Sequence, residues 1–164
     1  MNELARSLIA DSAFAPPRNV LQALSEEAAH AKLQAASVSA PHSIYAEVWH
    51  MAYWQEISLD WVQGKPTPVP EHASGGFPSN TDEPWDGLRD RFLAGAQNAA
   101  AIANDTERLE VIVACPTIGA PERTMTIHDQ LVSLTAHNAY HLGRIVLLRQ
   151  LQGNWPPPDG GFTW

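Results

Sequence analysis

Three of the seven histidines in the sequence fall on stretches that predict buried helical faces. His137 and His141 are four residues apart, so on a helix both imidazoles lie on the same side. That spacing suits two ligands of one metal ion, and His50, on a separate predicted helix, could complete a set of three. Three ligands leave a coordination position open for water or a substrate. The sequence therefore predicts a divalent-metal site at His50, His137 and His141.

A less specific explanation of these histidines stays open. A histidine on an apolar helix face is most often a hydrogen-bonded core residue, because burying an unpaired imidazole is costly. The residue after His137 is Asn138, whereas the H-E-x-x-H metalloproteases have glutamate at that position. The pair therefore does not predict a protease of that class. Neutral imidazole accepts several metals, so we expect Zn or Ni, with Fe, Mn or Co as alternatives.

Glu47 is the candidate catalytic residue. It precedes His50 by one turn on the same predicted helix, so its carboxylate shares a face with the imidazole. The carboxylate could orient an imidazole as a hydrogen-bond acceptor, or act as a general base beside a metal ion. It could equally pair with Arg144, which lies close to the histidine face of the last helix. Tyr53 and Tyr140 are candidates for the wall of the site or for core packing.

The histidine pair lies in the stretch with the strongest helix pattern, residues 126–153. Thr126 is suited to cap its start, while Gly153 and the proline run after it end the helix. One face collects the residues expected to point into the core: Gln130, Leu134, His137, His141, Leu148 and Leu151. His50 lies in a second strong pattern, residues 43–63, which Gly64 and Pro66 close.

The remaining segments predict the scaffold around these two helices. Residues 65–83, rich in Pro, Gly, Ser and Thr, should form a long surface loop and a candidate wall or lid over the site. A third helix runs from Pro84 to about Asn104, and an irregular connector with a short extended piece follows it. An amino-terminal helix capped by Asn2 should end near Phe14, with a helix-compatible segment at residues 19–33. We therefore predict an all-α fold, a four-helix bundle, in a single domain over residues 1–164.

Bulk composition excludes several classes of partner. The formal net charge is −8 and only ten residues are Lys or Arg, so the chain should repel phosphate backbones and bind no nucleic acid. No segment approaches the length of an apolar membrane span, and the amino terminus lacks the pattern of a signal peptide. We expect a cytoplasmic protein. The single cysteine, Cys115, has no visible base partner and is not expected to be a nucleophile.

Two segments resemble a known family. HNAYHLGRIVLLRQLQGNWPPP, together with SIYAEVWHMAYWQ upstream, is similar to the DinB-like (DinB/YfiT) superfamily of bacterial metal-binding proteins. The resemblance implies an up-down-down-up four-helix bundle, often dimeric, with a divalent metal held by His50, His137 and His141. It also implies enzymes among the relatives, including transferases of bacillithiol, mycothiol or glutathione. Arg144 stands where many relatives carry glutamine, which alters the surroundings of the site.

Three functions follow from the histidines and the resemblance. The first is a metal-dependent enzyme that transfers a low-molecular-weight thiol to an electrophilic small molecule. The second is a hydrolase in which the metal activates water. The third is a metal-binding protein without catalysis. We also expect a homodimer, because aromatic residues in the tail (Trp155, Phe162 and Trp164) could form an interface, although the tail could equally fold back over its own bundle.

Overall fold

The computed structural model describes residues 1–9, 15–35, 38–80 and 82–161. Most of the regular structure in these ranges is helical. In chain order the helices are α1 (Glu3–Leu8), α2 (Pro17–Val20), α3 (Glu26–His30), α4 (Ile44–Val62), α5 (Trp85–Asn104) and α6 (Ile127–Leu151). Short 3-10 turns occupy Ala73–Gly76 and Thr106–Arg108.

The described residues are mostly helical, in agreement with the predicted fold class, and they also include two small antiparallel hairpins. Strands β1 (Gln34–Ala35) and β2 (Val38–Ser39) form the first hairpin. Strands β3 (Ile112–Cys115) and β4 (Arg123–Thr126) form the second, with Ile112 opposite Thr126 and Cys115 opposite Arg123. Strand β3 is the extended piece expected in the connector, and β4 leads directly into α6.

Side-chain caps define where the principal helices begin. Asn2 Oδ1 accepts a hydrogen bond from the Ala5 amide at the start of α1. Ser43 Oγ does the same at the start of α4, and Thr126 Oγ1 at the start of α6. Helix α6 ends before Gly153, whose φ of +72° is the left-handed conformation that glycine adopts at little cost. The predicted limits of α4, α5 and α6 therefore agree closely with the structure.

The first 33 residues depart from the predicted helices. Helix α1 ends at Leu8, well before Phe14, which lies outside the described residues. The segment predicted as one helix at residues 19–33 contains α3 and the end of α2, separated by a turn. Ala23 has a φ of +54°, which a continuous helix cannot contain, and Ser25 Oγ then caps α3 by accepting from the Ala28 amide. Local turn chemistry thus overrides the helical propensity of this segment.

Buried apolar side chains form two clusters at opposite ends of the long helices. The amino-terminal halves of α4 and α5 share one cluster with the carboxy-terminal half of α6, and Val48, Phe92 and Ile145 belong to it. The other halves share the second cluster, to which Ile57 and Leu131 belong. Helices α4 and α5 therefore run in the same direction and α6 runs in the opposite direction. The middle of α4 and the middle of α6, which carry the three histidines, face each other between the clusters.

The two termini of the described chain pack back onto the helices. Asn2 Nδ2 donates to the Ala103 carbonyl, which fastens α1 to the end of α5. In the tail, Asn19 Nδ2 donates to the Asp159 carbonyl, and the guanidinium of the buried Arg149 lies over the Trp155 ring. The described part of the tail thus folds over its own chain. The other two aromatic residues expected at an interface, at positions 162 and 164, lie outside the described residues.

One residue of the predicted inward face of α6 is exposed rather than buried. Leu151 is 65% exposed, whereas Leu134 and Leu148 on the same face are buried.

Among the described helices, none combines the length and the apolar character that a bilayer crossing requires.

Candidate metal centre

The structure brings the three predicted ligands together. His50 comes from the middle of α4, and His137 and His141 come from successive turns of α6. Each offers one ring nitrogen, and the three atoms lie within 4.8 Å of one another. His50 and His141 are buried and His137 is half-buried. Because the two helices run antiparallel side by side, residues far apart in sequence converge on one point.

Short hydrogen bonds orient two of the imidazoles, and a longer one of 3.4 Å joins His137 Nδ1 to Asn138 Oδ1. A carbonyl oxygen can only accept, so His50 Nδ1–H donates to the Gly76 carbonyl at 2.8 Å. His141 Nδ1–H donates to Glu47 Oε2 at 2.6 Å, a short charge-assisted bond. In a neutral ring protonated at Nδ1 the lone pair is on Nε2, so Nε2 of His50 and of His141 can accept a proton or bind a cation. Such fixing of the opposite nitrogen is the usual arrangement of a metal-binding histidine.

The electrostatic environment keeps two of the rings uncharged. Burial lowers the pKa of His50 from 6.5 to about 4, because the charged imidazolium loses its hydration. Burial, reinforced by His141 and His50, lowers the pKa of His137 to about 4 as well. Both imidazoles are therefore neutral near pH 7, which is the form that coordinates a metal.

The donor set fits a divalent cation. His50 Nε2 and His137 Nε2 are 3.1 Å apart. Two nitrogen ligands at the usual Zn–N distance in a tetrahedral site would be about 3.3 Å apart. With the His50 proton committed to Gly76, the two Nε2 atoms either share one proton from His137 or direct two lone pairs at one cation. Three imidazoles at this spacing could hold a metal ion, and the donor type does not determine which ion.

Glu47 adopts two of the roles that the sequence left open. It has no exposed surface, and its Oε2 orients His141 on the opposite helix rather than His50 on its own. Its Oε1 lies 2.7 Å from Arg144 Nη2, an ion pair whose angles fall outside hydrogen-bond geometry. The Glu47 carboxylate thus links the His141 imidazole to the Arg144 guanidinium, whose side chain is 32% exposed. Whether Glu47 also accepts a proton in a reaction stays a prediction.

The loop at residues 65–83 supplies two contacts that sequence reasoning missed. Besides the Gly76 carbonyl, the Phe77 ring stacks on His50 with centroids 4.1 Å apart. His42 stacks on the other face of Phe77, with ring centroids 3.9 Å apart. A side chain at position 76 would not fit, since a Cβ there would lie 2.5 Å from Trp54 Nε1. No local pattern in the loop marks Gly76 or Phe77; their role depends on where the loop lies against α4.

The histidines open onto a cavity of about 480 Å³, the histidine pocket. Its wall consists of His42, His50, Trp54, Phe77, His137, Tyr140, His141 and Arg144. The expected lining role of Tyr140 agrees with this wall, whereas Tyr53 is not part of it and stacks on Trp49 instead. The loop therefore forms one side of the pocket. A pocket of this size accommodates a small molecule beside the three ring nitrogens.

The other reactive residues lie away from the histidine pocket. His30 contacts Glu26 and stacks on Tyr45, and His128 lies at the exposed start of α6. Cys115 is buried, and burial raises the pKa of its thiol. A protonated, buried thiol is a poor nucleophile, as the sequence led us to expect.

A family model matches most of the chain. No curated protein matches it. The family model of the DinB superfamily matches residues 14–145, which include α4, the loop that follows it, α5 and the part of α6 that carries both histidines. The match covers most of the chain and contains all three histidines, and we conclude that the chain belongs to the DinB superfamily.

Proposed function

We propose that this protein is a divalent-metal-dependent enzyme that transfers a low-molecular-weight thiol to an electrophilic small molecule. His50, His137 and His141 would hold the metal, and Zn or Ni is the proposed ion. One observation carries the proposal: three convergent ring nitrogens, two of them oriented by hydrogen bonds, border an open pocket of about 480 Å³. A purely structural metal site would have no need of that opening.

A bound divalent cation would supply positive charge that favours the thiolate form of a thiol in the pocket. In the proposed step the S–H bond breaks and an S–C bond to the electrophile forms. The proton passes to a base or to solvent, and the leaving group departs with its bonding electron pair. Trp54 and Phe77 form an aromatic part of the pocket wall beside the histidines.

For Glu47 the geometry supports a positioning role best. The side chain has no exposed surface, so a substrate cannot touch it without rearrangement. It acts instead on His141, whose Nδ1 proton it holds, and thereby directs the Nε2 lone pair of that ring into the pocket. We retain proton acceptance by Glu47 as a second proposal, in which the proton would arrive through the His141 hydrogen bond.

The proposal extends to the organisation of the protein. The shared direction of α4 and α5 and the opposite direction of α6 support an up-down-down-up four-helix bundle, with α1 as the first helix. A single domain, a homodimer and a cytoplasmic location complete the proposal. Sedimentation of the purified protein would test the homodimer.

Metal content tests the site itself. We expect untagged wild-type protein to contain close to one divalent ion per chain and His137→Ala to lose most of it. The matched control is His128→Ala, an exposed histidine on the same helix, which should keep the wild-type content. Equal metal in wild type and His137→Ala would overturn the proposed ligand set.

Thiol addition then tests the reaction. Adding glutathione to the Co(II)-loaded protein should change its absorption spectrum, because a sulfur ligand alters the metal's electronic transitions. An unchanged spectrum, together with no thiol bound in equilibrium dialysis, would refute the transferase. Hydrolysis of ester or amide substrates without added thiol would instead favour the hydrolase. A metal with no exchangeable position would favour the non-catalytic binding protein.

A further inference from the structure

A second cavity lies behind the histidine pocket. It has a volume of about 330 Å³, and we call it the rear cavity. Trp54 and His137 contribute to the walls of both cavities. Their rings meet edge to face with centroids 6.5 Å apart, so together they form the partition. A molecule in the rear cavity would therefore lie next to one of the three clustered histidines.

Buried polar side chains line one part of the rear cavity. Gln130 and Ser58 are each only 5% exposed. Gln130 Nε2 donates to Ser58 Oγ at 2.9 Å, and Ser58 Oγ donates to the Trp54 carbonyl. The Gln130 carbonyl oxygen has one partner among the described residues, the weak Cys115 thiol donor 4.0 Å away. A buried amide oxygen with such a poor donor keeps capacity to accept a hydrogen bond from a ligand.

The remaining wall is largely apolar. Trp61, Leu134 and Met125 line it, and the indole N–H of Trp61 is already satisfied by the Thr67 carbonyl. Two opposite charges, Glu71 and Arg123, lie on exposed residues of the same wall, so the cavity does not select a ligand of one sign. The volume and the lining thus suit a small apolar body that carries a hydroxyl or amine.

We infer that the rear cavity binds the apolar body of the electrophilic substrate, with a donor group on Gln130 and the reactive end beside His137. The role as electrophile site rests on the proposed transferase function. The binding itself does not, because the cavity is formed mainly by side chains outside the histidine cluster. The apolar body of the electrophile would then lie behind Trp54 and His137, and its reactive end would pass their edge to meet the thiol in the histidine pocket.

Binding of 2-naphthol, a flat neutral molecule with one hydroxyl donor, tests the inference by calorimetry and by quenching of tryptophan fluorescence. Ser133 lines the rear cavity yet is exposed, so Ser133→Trp fills the space without disturbing the core. We expect binding at least about tenfold weaker in this variant. Val132→Trp, the neighbouring exposed position that does not line the cavity, is the matched control and should bind as wild type.

A second substitution tests the polar contact. Gln130→Met keeps a similar shape but removes the acceptor, and binding of 2-naphthol should weaken about tenfold at most, the value of one hydrogen bond. In the wild type, naphthalene, which lacks the hydroxyl, should bind more weakly than 2-naphthol by the same factor. In Gln130→Met the two compounds should bind equally well. Equal binding of both compounds to both proteins would refute the inferred hydrogen bond between the ligand's donor group and Gln130.

The same titration on metal-free protein separates this inference from the proposed function. We expect 2-naphthol to bind with and without the metal. If 2-naphthol still binds to a protein that is inactive towards thiols, the inferred binding site in the rear cavity is supported and only the transferase function is refuted. Binding that is absent, or identical in wild type and Ser133→Trp, would overturn the rear-cavity site whatever the result with thiols.

Discussion

Replacing Glu47 by glutamine should weaken metal binding without unfolding the protein. Glutamine has nearly the same shape, and its amide oxygen can still accept from His141 Nδ1. What disappears is the negative charge in a hydrogen bond of 2.6 Å and in the ion pair with Arg144. A hydrogen bond to a charged group is worth about 1.5–3 kcal/mol, against about 0.5–1.5 kcal/mol for a neutral one. The difference of about 1–2 kcal/mol corresponds to roughly a 5- to 30-fold loss of affinity.

A second effect acts in the same direction. Without Glu47, the Arg144 guanidinium is left unpaired beside the site, and its positive charge opposes a bound cation. Because the Arg144 side chain is 32% exposed, solvent screens that repulsion, and the further loss of metal affinity should be small. Glu47→Ala removes the acceptor altogether, and we expect a loss towards the upper end of the roughly 10- to 100-fold range seen for supporting residues of metal sites.

The assay is competition for Zn between the metal-free protein and a chromophoric chelator at pH 7.5, with circular dichroism to verify folding. Glu56→Gln is the matched control, since Glu56 lies on the same helix and also pairs with an arginine, Arg91, but at the exposed surface. Its Zn affinity should equal that of wild type. Wild-type affinity in folded Glu47→Gln, or an equal loss in Glu56→Gln, would refute the argument that the carboxylate acts through His141.

Two further predictions concern the loop and the pH dependence of stability. Gly76→Ala should lower the free energy of unfolding by about 1–3 kcal/mol and also weaken Zn binding, because its Cβ would lie 2.5 Å from Trp54 Nε1 and 3.3 Å from His50 Nδ1. Gly87→Ala, in α5 with no atom within 4 Å of the new Cβ, should instead be neutral or stabilising, and urea titration of both variants checks this. For pH, the pKa of His50 is about 4 in the folded protein and 6.5 when unfolded, so only the unfolded chain binds the extra proton between these values. Stability is therefore complete above pH 6.5 and falls as the pH decreases towards 4, by about 2 kcal/mol at pH 5 from His50 alone. Urea titrations of metal-free protein that gave equal stability at pH 7.5 and pH 5 would contradict this.

Local sequence signals account for the helices that carry the site. Caps such as Ser43 and Thr126 act within one turn of the chain, and Gly153 ends α6 through its own backbone conformation. The four-residue spacing of His137 and His141 likewise places both rings on one face by helical geometry alone. These features need no information about the rest of the molecule, and the sequence was sufficient to predict them.

Periodicity gives a direction on a helix but not what lies opposite. Leu151 shares the face of Leu148, yet one is exposed and the other buried. Glu47 shares a face with His50, yet it binds His141, because the antiparallel approach of α4 and α6 brings those two side chains together. Neither outcome follows from spacing within a single helix.

The sequence by itself determined the residue type of the candidate ligands, the paired spacing of two histidines and the limits of the long helices, since each depends on interactions within a few residues. Only the tertiary structure decided which atoms surround the candidate ligands. The Gly76 carbonyl and the Phe77 ring reach His50 across 26 and 27 residues of chain, and the rear cavity joins β3, β4, α4 and α6. Such contacts depend on how separate elements pack, and packing is a property of the whole chain rather than of any one segment.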